Sequence, residues 1–314
     1  MRLTIRQLLG ASLGSVACAM PAAAQCVGLP LPTSASTRGL AMGNANLAGR
    51  DDDVIFYGPA QLAVARGTSV AGERYLDGLA GGTAATTSRL ASGGIGVGAQ
   101  IIEGRNSDAC LLQLARQNGF LFPAARTISR SLAVVGAAQT FKRIHFGLAA
   151  KYATETADDQ RLSRFLVDVG ASREFSLGDF IPLTAAVGVQ SIGGNPTDAF
   201  MLGVPRSASV GLSTGGPLGA FDVGVMAQAG VEHSGLPPDI KNRPLLGGGV
   251  ELGYTWLDGY SIAVRAGERT ASAFDLTRHT TFGFGLVLDR FSFDYAFEHL
   301  AGPYGANRFG IRLR

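Results

Sequence analysis

Beyond its first two dozen positions the chain has no run of about 18 apolar residues, so helical membrane spans are excluded from its body. Cysteine is scarce. Of the three, Cys18 lies in the N-terminal leader, which leaves Cys26 and Cys110. Whether these two pair stays open, because separation along a chain says nothing about distance in space. Net charge is also nearly absent. The formal value is +3, and loss of Arg2 and Arg6 with the leader takes 27 basic residues to 25 against 24 acidic ones, a formal +1. No polyanion partner, and so no nucleic acid, is expected. The four histidines, His145, His233, His279 and His299, are dispersed without metal-ligand spacing, so neither catalysis, a metal nor a cofactor is expected. No Pro-rich or charged linker divides the chain, which reads as one domain.

The leader itself has a recognisable layout. Arg2 and Arg6 precede a mostly apolar stretch from Leu8 to Met20, followed by Pro21-Ala22-Ala23-Ala24 before Gln25. This is the pattern of a secretory signal peptide cleaved after about residue 24. An uncleaved anchor fits less well, because Gly10, Ser12, Gly14 and Ser15 interrupt the apolar stretch.

What the chain has in abundance is glycine, 44 residues, scattered among short alternating segments. Phe282, Phe284, Leu286 and Leu288 alternate with Gly283, Gly285 and Val287, and Phe291, Phe293, Tyr295 and Phe297 alternate with Ser292, Asp294, Ala296 and Glu298. A period of two marks strands with one apolar face. The same template predicts strands over 68–76, 79–90, 93–103, 128–140, 143–153, 163–173, 181–191, 206–214, 220–229, 247–256, 259–268, 280–289, 291–299 and 306–314. That is about 14, each near the length a tilted membrane strand needs.

Connections after even-numbered strands are short: 91–92, 141–142, 174–180, 215–219, 257–258 and 290. Those after odd-numbered strands are mostly long, at 104–127, 154–162, 192–205, 230–246, 269–279 and 300–305, with Asp77-Gly78 the exception. A soluble sandwich has no reason to alternate in this way. A transmembrane antiparallel β-barrel with tight turns at one end and loops at the other does. Phe141, Phe175, Phe180, Phe221, Trp256, Tyr260 and Phe291 collect beside the short turns, as an aromatic girdle would. The surrounding partner is then outer-membrane lipid.

If the apolar face meets lipid, the other face lines a lumen. His145, Lys151, Asp168, Glu251, Arg265, Asp294, Glu298, Arg308 and Arg312 fall on it. Both signs are present, which favours internal ion pairs over a single-sign selectivity filter. The final strand carries Phe309, Ile311 and Leu313 outward, with Arg308, Arg312 and Arg314 on the other face. It ends on Arg314, where outer-membrane barrels usually end on an aromatic.

Ahead of the first strand, Thr37-Arg38-Gly39-Leu40-Ala41-Met42-Gly43-Asn44-Ala45 is rich in small residues, and Asp51-Asp52-Asp53 precedes Gly58-Pro59-Ala60-Gln61. Irregular backbone of this kind is tolerated at membrane depth only inside a lumen. The stretch resembles the N-terminal signature of the FadL-like outer-membrane proteins and their PorV/PorQ relatives, in which a Gly-Met-Gly-Gly-like element precedes an acidic pair and an Asn-Pro-Ala-Gly motif. Gly39, Met42, Gly43, Asp51, Asp52, Asp53, Pro59 and Ala60 carry the likeness, with Gly58 and Gln61 where the motif has asparagine and glycine. The resemblance implies a hatch inside the barrel. The expected organisation is therefore a signal peptide over 1–24, a hatch segment over 25–65 and a barrel over 66–314. Arg265, Arg308 and Arg312 are candidate anchors for the acidic run; the alternative is three carboxylates solvated at the periplasmic mouth.

In that family FadL members pass hydrophobic molecules inward, while PorV-like members serve protein secretion and surface attachment. The resemblance thus implies either a hydrophobic small-molecule ligand or a secreted protein partner. A plugged structural barrel is a third alternative. Loop 104–127 bears on the choice, because Ser107-Asp108 caps a short predicted helix carrying Leu111, Leu112 and Leu114, with Phe120 and Phe122 beyond it. Such an external apolar loop suits a lid, a greasy-ligand collector or a docking surface. Gly93-Gly94-Ile95-Gly96-Val97-Gly98 looks like a phosphate loop but has no helix after it, so its glycines are read as places of close approach to other strands or to the hatch.

Overall fold

The structure is a computed structural model that describes residues 36–75, 80–106, 126–157, 160–177, 181–193, 206–233, 242–270, 278–299 and 305–313. The leader, Cys26, Cys110, Leu111, Leu112, Leu114, Phe120, Phe122, Phe180 and Arg314 lie outside the described residues. No helix is long and apolar enough to cross a membrane among the described residues.

Fourteen strands follow one another: β1 (Gly67–Tyr75), β2 (Ala80–Leu90), β3 (Gly93–Asn106), β4 (Arg126–Phe141), β5 (Ile144–Ala157), β6 (Gln160–Leu177), β7 (Ile181–Ile192), β8 (Arg206–Leu218), β9 (Phe221–His233), β10 (Asn242–Leu257), β11 (Tyr260–Thr270), β12 (Arg278–Leu288), β13 (Phe291–His299) and β14 (Gly305–Leu313). Each pairs antiparallel with its sequence neighbours, and β1 pairs with β14 from Thr68 opposite Leu313 to Tyr75 opposite Ala306. The sheet is a closed barrel with no free edge, so every ladder finds partners in hydrocarbon where water cannot supply them.

Alternation sets the two faces. Along β13 the burial pattern strictly alternates from exposed Phe291 and Tyr295 to buried Ser292, Asp294, Ala296 and Glu298. Phe141, Phe175, Phe221, Trp256 and Phe291 stand exposed at the short-turn end, with Leu148, Val187, Val210 and Val264 in the band beyond them. In the two-residue turn Lys142-Arg143 both residues adopt positive φ (48° and 67°), the twist that joins two antiparallel strands in two residues.

The ends of the strands away from the short turns differ from expectation. Residues 154–162 read as a long loop because apolar alternation stops at Ala153, yet β5 and β6 stay paired out to Ala157 opposite Gln160. Periodicity follows the lipid, whereas the ladder follows hydrogen bonding. Glu155 faces inward and pairs with buried Arg130 at 3.0 Å, so this hairpin continues without an apolar face. β9 and β10 also run longer than predicted, to His233 opposite Asn242.

A barrel of 14 strands, spaced about 4.8 Å and tilted about 40°, closes to roughly 28 Å across at the backbone, too wide for wall side chains to fill. Residues 36–66 occupy this interior. They form a short helix, α1 (Thr37–Ala41), and two 3₁₀ turns, Val54–Phe56 and Pro59–Ala63. The Ser36 hydroxyl accepts the Gly39 amide and so caps α1. Val54, Ile55, Phe56 and Leu62 are fully buried against Leu132, Val134, Ala149 and Leu166 of the wall.

Candidate functional site

The inner segment fits the wall because the wall is cut back to glycine where the two meet. A Cβ built on Gly147 would lie 2.2 Å from the Pro59 carbonyl carbon, and one on Gly94 would lie 1.8 Å from the Leu62 oxygen. Gly249 and Gly267 face Met42 and Gly43 in the same way, at 2.5 and 2.2 Å. Backbone therefore packs on backbone, an approach that only glycine permits. Gly94, Gly96 and Gly98 meet Leu62 and Phe56, which accounts for the glycine run in β3.

Polar side chains of the wall then take up the segment's main chain. Lys151 donates to the Phe56 carbonyl at 2.8 Å, and the Gln190 amide donates to the Tyr57 carbonyl at 2.5 Å. Gln190 is aimed by a bulge in β7, where the register shifts against β6 and Ser191 takes φ 58°. Asp168 holds that bulge by accepting the Ser191 amide at 2.8 Å while pairing with Lys151 at 2.5 Å. Across the barrel the Thr281 hydroxyl accepts from the Gly43 amide and donates to the Ala41 carbonyl.

One ionic chain links segment and wall. Arg312 pairs with Asp51 at 2.8 Å and with Asp294 at 2.7 Å. Asp294 accepts from Arg265 at 2.6 Å, Arg265 pairs with Glu251, and Glu251 accepts two bonds from Arg38, each 2.9 Å. Arg38 closes the chain on Asp51 at 3.5 Å. Asp52 lies 4.0 Å from Arg312, and Asp53 accepts from the Tyr57 hydroxyl at 2.8 Å. Of the three anchors considered for the acidic run, Arg312 serves. Arg265 is engaged by Glu251 and Asp294, and Arg308 by Glu73 at 2.7 Å. All three aspartates are buried, so the alternative of a solvated acidic run is not what the structure contains.

The remaining inward residues are placed separately. Glu298 accepts from Arg269 at 2.6 Å and sits 2.8 Å from His279 Nδ1. His145 sits 2.9 Å from the Thr140 hydroxyl. Arg38, Glu73, Arg130, Glu155, Gln190 and Thr281 were not singled out from sequence. For some a signal existed: strand register puts Glu73 opposite Arg308 and Glu251 opposite Arg265, as direct cross-strand pairs of opposite charge. No group of three or more metal-ligating side chains occurs among the described residues. The spacing Gly-x-Ser-x-Gly does occur, from Gly211 to Gly215, but inside β8 and without the strand–turn–helix context a nucleophile needs.

Burial together with the charges of Asp51 and Asp52 pushes the Asp53 carboxyl up to about 7. For Arg38 burial alone would lower the pKa, but Asp51 and Glu251 outweigh it and hold the guanidinium above its usual range. Asp53 in the folded protein therefore keeps a proton that the unfolded chain has lost between about pH 4 and 7. Stability from this group is present below that window, is lost as pH rises through 7, and is flat above. Asp53→Asn is expected to raise the unfolding midpoint at pH 8 and to flatten its decline between pH 5 and 8; a parallel decline in both proteins would contradict this.

No family model matches the chain, and no curated protein matches its sequence. Solved structures do match. The Ralstonia pickettii toluene transporter TbuX aligns with a TM-score of 0.54 at 12% identity, over 88% of this chain and 97% of that one. A FadL homologue from Pseudomonas aeruginosa gives 0.51 at 10%, again over 88% and 97%. The Pseudomonas putida toluene transporter TodX gives 0.50 at 11%, over 87% and 95%. The likeness is one of fold: it spans 87–88% of this chain and 95–97% of each of the others at 10–12% sequence identity.

Proposed function

We propose that the protein is an outer-membrane transport protein that takes up small hydrophobic molecules, with residues 36–65 as the described part of its hatch. The observation that carries this reading is the way the barrel is filled. Its interior is occupied by a separate stretch of chain that runs into the wall at β1 and is held, among the described residues, through ionic and main-chain hydrogen bonds, which can be exchanged for water. The toluene transporters that share its fold support the substrate class. Their likeness lends nothing to the secretion alternative. A plugged structural barrel is favoured by one observation, the pairing of the inward charges Arg130, Lys151, Arg265, Arg308 and Arg312 with carboxylates.

Uptake separates the two. Cells lacking other hydrocarbon channels are expected to accumulate labelled toluene faster when they express this protein, and faster again when residues 36–65 are deleted. Equal accumulation with and without the protein would leave the plugged barrel.

A further inference from the structure

The inner segment does not fill the barrel evenly. Its two ordered ends pack on β3–β6 through the Pro59–Ala63 turn and on β11–β14 through α1. Between them, at the short-turn end of β7–β10, lies a cavity of about 300 Å³ lined by Arg38, Thr184, Ser213, Asp222, Met226 and Glu251. The glycines bound this space. Further along the same strands Gly188 and Gly211 are pressed by Leu47 and Gly249 by Met42, whereas at the short-turn end a Cβ on Gly216 would meet nothing within 4 Å, and Gly224 and Gly253 meet wall side chains first, at 3.4 and 3.5 Å. The open space is therefore confined to the short-turn end.

The side-chain lining is mostly polar. It offers hydroxyls, Asp222 and the half-exposed guanidinium of Arg50, which donates to the Thr184 hydroxyl at 2.9 Å and pairs with Glu174 at 3.1 Å. At its inner end stand Met226 and the Arg38–Glu251 pair, one partner on the segment and the other on the wall. A charge pair bridging a movable part and a fixed part is a contact that hatch movement must break.

We infer that this polar chamber beside β7–β10 is the exit of the passage through the barrel, closed above by the Arg38–Glu251 pair. It accepts water and small polar solutes in the resting protein, and cargo only once that pair separates. The inference rests on the transport reading for its cargo alone. The route is a property of the lumen and is tested by ions.

The test uses the full-length protein in planar bilayers, in a background in which the other cysteines are serine. Ser213→Cys is placed in the chamber, and Arg89→Cys at the opposite side of the mouth, each with and without Arg38→Ala. The probe is a trimethylammonium-ethyl methanethiosulfonate added from the short-turn side, with labelling quantified by mass. Arg38→Ala is expected to raise ion conductance, and full labelling at position 213 to cut the raised conductance by about half or more, while labelling at position 89 leaves it unchanged. Glu251→Gln, which keeps side-chain volume, is expected to raise conductance as well and guards against misfolding of the first variant. An unchanged conductance in both gate variants, or a raised conductance insensitive to complete labelling at 213, would overturn the route. Conductance blocked at 213 without any toluene uptake would uphold the route and overturn the cargo.

Discussion

Arg312→Ala is expected to destabilise the protein more than any other single loss of charge, by about 3–5 kcal/mol, the usual cost of removing one partner from a buried ion pair, with Arg38 left beside Asp51 and Arg265 beside Asp294. The guanidinium lies between Asp51 at 2.8 Å and Asp294 at 2.7 Å, with Asp52 at 4.0 Å. Its removal leaves carboxylates facing one another in a site that excludes water, and it removes an ionic link from segment to wall. Arg312→Lys is expected to recover only part of the loss, because one ammonium cannot serve two carboxylates with the geometry of a planar fork. The comparison is Arg173→Ala, an exposed cation stacked 4.9 Å from the Phe175 ring, expected to cost about 0.5–1 kcal/mol. Denaturant midpoints followed by Trp256 fluorescence measure all three. An Arg312→Ala cost no larger than that of Arg173→Ala would mean the ionic chain is peripheral to stability.

Gly147→Leu is expected to expel the inner segment while leaving the barrel closed. Any side chain at 147 must enter space held by Pro59 and Ala60, whose backbone atoms lie 2.2 and 2.3 Å from the first carbon it would add. Backbone yields less readily than a side chain, so the cost is about 3 kcal/mol or more, at the upper end for overpacking. Gly216→Ala, whose added carbon would meet nothing within 4 Å, is the matched control and is expected to be neutral. Limited trypsin digestion reads out the segment through cleavage at Arg50 and Arg66, and heat-modifiable electrophoretic mobility reads out the barrel. Protected arginines in a folded Gly147→Leu barrel would show that the wall, not the segment, gives way.

Both experiments concern contacts that no stretch of sequence displays. Alternation along β12 and β13 identified strands because a side chain's face is decided two residues at a time, and the inward set followed by parity. The aromatic residues beside the short turns were legible for the same reason, since lipid imposes its own pattern on every strand that crosses it. The hairpin at 154–162 was not legible. Outside the lipid a ladder persists on hydrogen bonds and on pairs such as Arg130–Glu155, and neither leaves a periodic trace. Arg38 lay within the quoted N-terminal stretch, but its partner Glu251 is 213 positions away.

Strand count, the two faces of each strand and the presence of a stretch unfit for the wall can be read along the chain, because each is a local consequence of a period-two backbone between lipid and lumen. Which charges meet, which glycines touch the inner segment and where space is left beside β7–β10 emerge only in the closed barrel. Closing fourteen strands into one ring brings Thr37 to Arg308, 271 residues apart, and such meetings depend on register summed around the whole barrel rather than on any one strand.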